Sequence, residues 1–186
     1  MSYKKAAILY GIVFILQFSL LNLLSVAGIT PNLILCLMIF ITYKYNDGYK
    51  PALLAIPFAL FSDSIGGQYV GVSALSMFIL CVAIAYFGRN LNRENLWTIL
   101  SVAAIGTVVY NFLGWLILLI LGNPTTILEL LRFLLAALPA NLFVILIAYL
   151  VFIRVYRRKL RPTGYAIVDM GNRTKSRNKI NLRNMR

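Results

Sequence analysis

The 186-residue chain contains no histidine, two cysteines and five acidic residues, and each shortage excludes something. Without histidine, the commonest general base, transition-metal ligand and near-neutral pH switch are all missing. Cys36 and Cys81 lie inside apolar runs, where a thiol behaves as a small hydrophobe, so no structural disulfide is expected. The acids are Asp47, Asp63, Glu94, Glu129 and Asp169. No second carboxylate shares a helical face with Asp63, and one intramembrane acid does not make a proton relay. There is also no glycine-rich phosphate loop running into a helix through Lys-Ser/Thr. The expectation is therefore no catalytic centre, no metal site and no cofactor.

Charge is scarce as well, at 12% of residues, whereas apolar residues make up 61%. Soluble domains carry about 25% charged and roughly 45–50% apolar residues. The apolar residues fall in blocks rather than amphipathic stripes. Six segments stand out: 6–27, 33–43, 52–65, 72–87, 96–121 and 127–153. The first and the last two exceed the ~18 residues that a transmembrane helix needs. The first has a basic start and a loosely cleavage-like Ser25-Val26-Ala27, but its apolar run is longer than a signal core, so it is read as an uncleaved helix. The predicted fold class is all-α, a polytopic membrane protein with six transmembrane helices, three of them short and central.

The basic residues support six crossings. If every segment spans the bilayer, seventeen of the eighteen Lys and Arg residues fall on one side. They are Lys4, Lys5, Lys44, Lys50, Arg89, Arg93 and the eleven from Arg154 to Arg186. The opposite loops, at 28–32, 66–71 and 122–126, hold none. By the positive-inside rule both termini are then cytoplasmic. The exception, Arg132, is three residues beyond Glu129 and within reach of an ion pair along the helix.

Small and polar residues line several helical faces. Ala103, Thr107, Asn111 and Gly114 share one side of the fifth segment, and Ala137, Asn141 and Ala148 one side of the sixth, with Ala136 and Ala140 beside them. Tyr10 and Gln17, seven apart, share a face of the first. Such faces pack helices within one chain or dock a partner's helix. In the third segment, Ala55, Ala59 and Asp63 project from one side, with Asp63 about 18 Å along the axis from Pro51. Two compatible roles stand for Asp63: a functional carboxylate near the outer surface, and an Asx-type acceptor for amides of the Gly66-Gly67 turn. Pro57, in mid-segment, leaves a carbonyl unpaired and is expected to kink the helix.

Two domains follow from composition: a six-helix membrane domain over 1–155 and a basic, disordered cytoplasmic tail over 156–186. The first choice for the basic cluster of Arg154, Arg157, Arg158, Lys159 and Arg161 is contact with anionic lipid headgroups. A docking tail for an acidic partner comes next. Nucleic acid is not expected, because aromatics are not interleaved with the charges.

The order of motifs resembles the bacterial rod shape-determining protein MreD family over residues 1–155. It runs from a basic-start helix through Thr30-Pro31-Asn32-Leu33 and Asp63 to Gly66-Gly67, then Gly71-Val72-Ser73-Ala74-Leu75-Ser76 and Gly88-Arg89. The resemblance implies a fold like that of the substrate-binding subunits of energy-coupling-factor transporters. It also implies a non-enzymatic component of the cell-elongation machinery, in the bacterial cytoplasmic (inner) membrane, that binds an MreC-like single-pass protein. RodA, a penicillin-binding transpeptidase, MreB filaments and a second copy of the chain are the further partners implied. The matching positions Pro31, Asn32, Asp63, Gly66, Gly67, Gly71, Ala74 and Leu75 would form a structural or partner-contact core. The alternative is a vitamin-binding subunit of such a transporter. The first segment lacks the Ala-x-x-x-Ala pair those subunits use, since Ala6 and Ala7 are followed by Tyr10 and Gly11.

Overall fold

The computed structural model describes residues 3–20, 31–45, 49–66, 69–88, 95–123 and 126–159, with side chains as far as Arg154. Among the described residues all regular structure is helical: α1 (Tyr3–Leu20), α2 (Leu33–Lys44), α3 (Tyr49–Ala52), α4 (Ala55–Gly66), α5 (Val72–Phe87), α6 (Leu96–Ile120) and α7 (Ile127–Lys159). The chain divides into two units, Met1–Ala148 and Tyr149–Arg186. In the second, the described residues continue α7 to Lys159, a few residues past the boundary drawn from composition. Residues 160–186, including Arg161, lie outside the described residues, and so do 21–30 and Gly67.

The third predicted segment, 52–65, starts at the last residue of α3, breaks, and continues as α4, and Pro57 is the cause. A proline cannot bond the carbonyl four residues back, which here belongs to Leu53. The Leu53 carbonyl instead accepts from Ile56 N at 3.1 Å, and Leu54 N donates to Pro51 O at 3.3 Å. These shorter-range bonds form a turn at Leu53-Leu54, and the helix restarts at Ala55.

Four helix ends draw on a nearby side chain or glycine. Asn32 caps α2 by accepting from Leu35 N at 2.9 Å, and Asn95 caps α6 by accepting from Trp97 N at 3.0 Å. At the end of α6, Gly122 sits at φ +80°, where Asn123 N reaches Leu118 O and Gly122 N reaches Leu119 O. That is a Schellman closure, which glycine forms without a Cβ penalty. Thr126 and Glu129 form a capping box at the start of α7: Thr126 N donates to Glu129 Oε2 at 3.2 Å and Glu129 N to Thr126 Oγ1 at 3.4 Å. The carboxylate is thus used at the helix start. The pairing of Glu129 with Arg132 is not formed, and Arg132 is exposed.

Within the first unit α2 is the central helix. Nine of its twelve residues are buried, so it packs on every side, chiefly against α1, α3, α5 and α6. Gly106 of α6 allows the closest approach: a Cβ there would lie 3.0 Å from Ile39 Cδ1. The small-residue faces are confirmed where they pack. Ala55, Ala59 and Asp63 are buried on α4, Ala103 and Thr107 on α6, and Ala137 and Asn141 on α7, while Ala148 is half-buried. α7 makes few close backbone approaches to the other helices.

Among the described residues two helices are long and apolar enough to cross a membrane: Leu96–Ile120, with 17% of its most apolar stretch buried, and Ile127–Arg154, with 22%. Helices α2 and α5 are apolar but shorter. Large apolar side chains stand exposed on α1, α4, α5, α6 and α7, among them Ile15, Phe61, Phe87, Ile120 and Leu135.

Candidate functional site

Five stretches far apart in sequence meet at one polar node. Its first member is Asp63, which α4 carries into the interior with 5% of its surface exposed. Asp63 Oδ2 accepts from Gly71 N and Ser73 N, both at 3.0 Å. These amides open α5, whose N-cap glycine, at φ +100°, has no side chain to offer them. Asp63 therefore caps the next helix from eight and ten residues back. The first turn of a helix leaves its N–H groups without partners and favours a negative charge there. Asp63 is thus an amide acceptor, as foreseen, and the amides it takes among the described residues are those at the start of α5; Gly67 of the expected turn lies outside them. The φ of +100° also explains glycine at 71, because other L-residues rarely adopt it.

Tyr110 of α6 joins Asp63 to the second member. The Tyr110 hydroxyl lies beside the Ser73 side chain and accepts from Asn32 Nδ2 at 3.3 Å. Asn32 does three jobs at once. Its Oδ1 caps α2, its Nδ2 reaches Tyr110, and its backbone N–H donates to Asn141 Oδ1 at 3.0 Å. Asn141, buried on α7, donates through Nδ2 to Thr107 Oγ1 at 3.4 Å, and its carbonyl accepts from Cys36 Sγ at 3.6 Å. Gln17 of α1 adds the last strut, with Oε1 accepting from Ile34 N at 3.2 Å. Helices α1, α2, α4, α5, α6 and α7 are thereby linked by side chains that each satisfy a neighbour's backbone or hydroxyl.

A cavity of about 230 Å³ opens beside this node, lined by Gln17, Asn32, Asp63, Tyr110, Asn111 and Asn141 among others. A second, of about 290 Å³, lies between α5, α6 and the start of α7 and shares Ser73, Tyr110, Asn111 and Phe133 with the first. Its walls are more apolar, with Val72, Trp115, Leu118 and Leu130, and Glu129 lies at one side. Trp115 Nε1 is the one buried side-chain polar atom without a hydrogen-bond partner among the described residues.

The positions singled out by resemblance divide three ways. Asn32, Asp63 and Gly71 are members of the node, and Pro31 and Gly66 line the polar cavity. Ala74 is buried, whereas Leu75 is 49% exposed. Gly67 lies outside the described residues, as do the side chains of Arg157, Arg158 and Lys159; Arg154 is exposed. Among the described residues no group of three or more His, Cys, Asp or Glu is arranged to hold a metal.

Comparison with family models, with curated proteins and with solved structures finds no match to this chain. The site stands on its own geometry.

Sequence reasoning did not single out Tyr110 or Trp115, and it placed Ser73 in a motif without a role. Their signal was faint. A tyrosine or tryptophan inside a long apolar run reads as bulk, and only the fold reveals which one has its polar atom beside another helix's cap.

Proposed function

We propose that the chain is a six-pass protein of the bacterial cytoplasmic membrane with both termini inside. On this reading it is a non-enzymatic member of the cell-elongation machinery that binds an MreC-like single-pass partner, with RodA, a penicillin-binding transpeptidase and MreB further along the assembly. One observation carries the reading: Asn32 and Asp63, which match the MreD pattern, line one polar cavity and each caps a helix start, Asn32 that of α2 and Asp63, through Gly71, that of α5. Residues used in this way hold a rigid set of helices in register, which is what a scaffold requires.

Membrane insertion is supported by the exposure of the two long apolar helices. The core helix of a soluble protein is mostly buried, but these bury 17% and 22% of their most apolar stretches. The remaining apolar surface is far too large for water and suits lipid. The other four crossings rest on the charge pattern.

The test is affinity purification of the full chain from mild detergent. A single-pass partner with an extracytoplasmic coiled coil is expected to co-purify. Recovery of a paired ATPase module instead would replace this reading with the second one, a substrate-binding transporter subunit, which the two adjoining cavities favour.

A further inference from the structure

Asp63 is buried, and its two oxygens are used unequally. Oδ2 takes both amides of the α5 start, while no described residue donates to Oδ1. The residue lines the 230 Å³ cavity, so among the described residues this carboxylate oxygen has no donor and is open to that polar space. Neither this cavity nor its 290 Å³ neighbour is lined by any lysine or arginine, whereas Asp63 and Glu129 both contribute. A buried carboxylate is costly unless paired with charge or fully hydrogen-bonded. The two cavities share Tyr110 and Phe133, and Trp115 lines the second. Aromatic faces of this kind attract cations.

We propose that the two adjoining cavities together form a binding site for a small organic amine with an apolar body. Its ammonium sits against Asp63 Oδ1 in the polar cavity, and its apolar part lies among Trp115, Leu118, Leu130 and Phe133. An anion of the same shape would meet an uncompensated carboxylate. A neutral isostere would leave that carboxylate without its counter-charge. The inference does not depend on the scaffold reading, because it concerns the chain alone, while that reading is tested by what co-purifies.

The chain has two tryptophans, Trp97 and Trp115, so Trp97→Phe leaves the cavity-wall tryptophan as sole reporter. The full chain carrying this change, in detergent micelles at neutral pH, is titrated with phenethylamine, 2-phenylethanol and phenylacetate. These three share a ring and differ in charge. Phenethylamine is expected to change Trp115 emission saturably and to bind at least tenfold more tightly than either of the others.

Asp63→Asn keeps an amide oxygen for the α5 amides, and it is expected to abolish the tenfold preference at unchanged helicity. Should that variant lose helicity, Gly114→Leu decides instead. A Cβ at Gly114 meets nothing closer than Val72 Cγ1 at 4.0 Å, and the larger side chain would fill the apolar cavity. It is expected to weaken amine binding at least tenfold. Three equal probes, a preference that survives Asp63→Asn, amine binding unaffected by Gly114→Leu, or no saturable response at millimolar amine would overturn the proposal.

Discussion

Two glycines of α6, eight residues apart and therefore about 12 Å along the axis, stand in opposite surroundings. At Gly106 a Cβ would lie 3.0 Å from Ile39 Cδ1, 3.6 Å from Ile39 Cγ1 and 3.7 Å from Leu80 Cδ2. At Gly114 the nearest atom is Val72 Cγ1 at 4.0 Å, and the residue lines a cavity. One end of the helix is sealed against α2 and α5, and the other borders open space next to α7. The same residue type therefore serves close backbone approach in one place and leaves room in the other. In lipid, where helices gain no hydrophobic drive from meeting, that close approach is a main source of association.

The largest expected effect comes from closing the tight end. Gly106→Val adds two methyl groups beyond a Cβ that is already crowded by Ile39, and overpacking of this kind costs about 1–3 kcal/mol. A marked fall in the thermal midpoint is expected when helicity is followed in micelles. Gly106→Ala should cost much less, because the clashing atom is the free end of Ile39 and alanine favours the helix by roughly 0.8–1 kcal/mol over glycine. Equal midpoints for Gly106→Val and the unchanged chain would show that the α2–α6 contact is not tight.

Next comes the polar node, the hinge between the two ends. Asp63→Ala leaves the Gly71 and Ser73 amides without acceptors, at about 1–3 kcal/mol for a buried unsatisfied group. Asp63→Asn can still accept and should lose less. The ranking of the two variants in a melting experiment is the check. If alanine is no worse than asparagine, the amides have found water and the cap contributes nothing.

How much of this was legible depended on distance along the chain. Faces such as Ala55, Ala59 and Asp63 follow from helical spacing, and Pro57 pointed to a kink, which the structure sharpens to a break at Leu53-Leu54 with the freed carbonyl paired to Ile56 N. These are local relations, and the structure bears them out. The node is not local. Nothing in the spacing says that Asp63 reaches across a turn to Gly71 and Ser73, or that Asn32 meets Asn141, 109 positions later. Glu129 shows a nearer miss. Thr126-x-x-Glu129 is a capping-box pattern, yet Arg132 at the next turn suggested an ion pair instead. The backbone amide of Thr126 took the carboxylate.

A smaller effect is expected on the sealed side. The Tyr10 hydroxyl donates to Ala52 O at 3.3 Å, joining α1 to α3 just before the proline-induced break. Tyr10→Phe removes that long bond and leaves the ring contact with Phe58, 6.0 Å between centroids, in place. Hydrogen bonds between membrane helices average about 0.6 kcal/mol, so a loss of that order is expected. A much greater loss in the same melting assay would mean that the bond anchors the α3–α4 turn as well as α1.

The smallest effect has the opposite sign, and it returns to the open end. Gly114→Ala places a methyl where only Val72 Cγ1 comes as near as 4.0 Å, so it meets no steric cost. It also restricts the unfolded chain and favours helical backbone, a gain of about 0.5 kcal/mol when the native conformation is compatible. The thermal midpoint should rise slightly, in contrast to the large fall at Gly106→Val. A fall at position 114 would mean that α7 closes on α6 and that the cavity between them is filled by side chains. The amine site would then lose its apolar half. Opposite signs at the two glycines would establish the contrast between a sealed end and an open one by stability alone, with no ligand present.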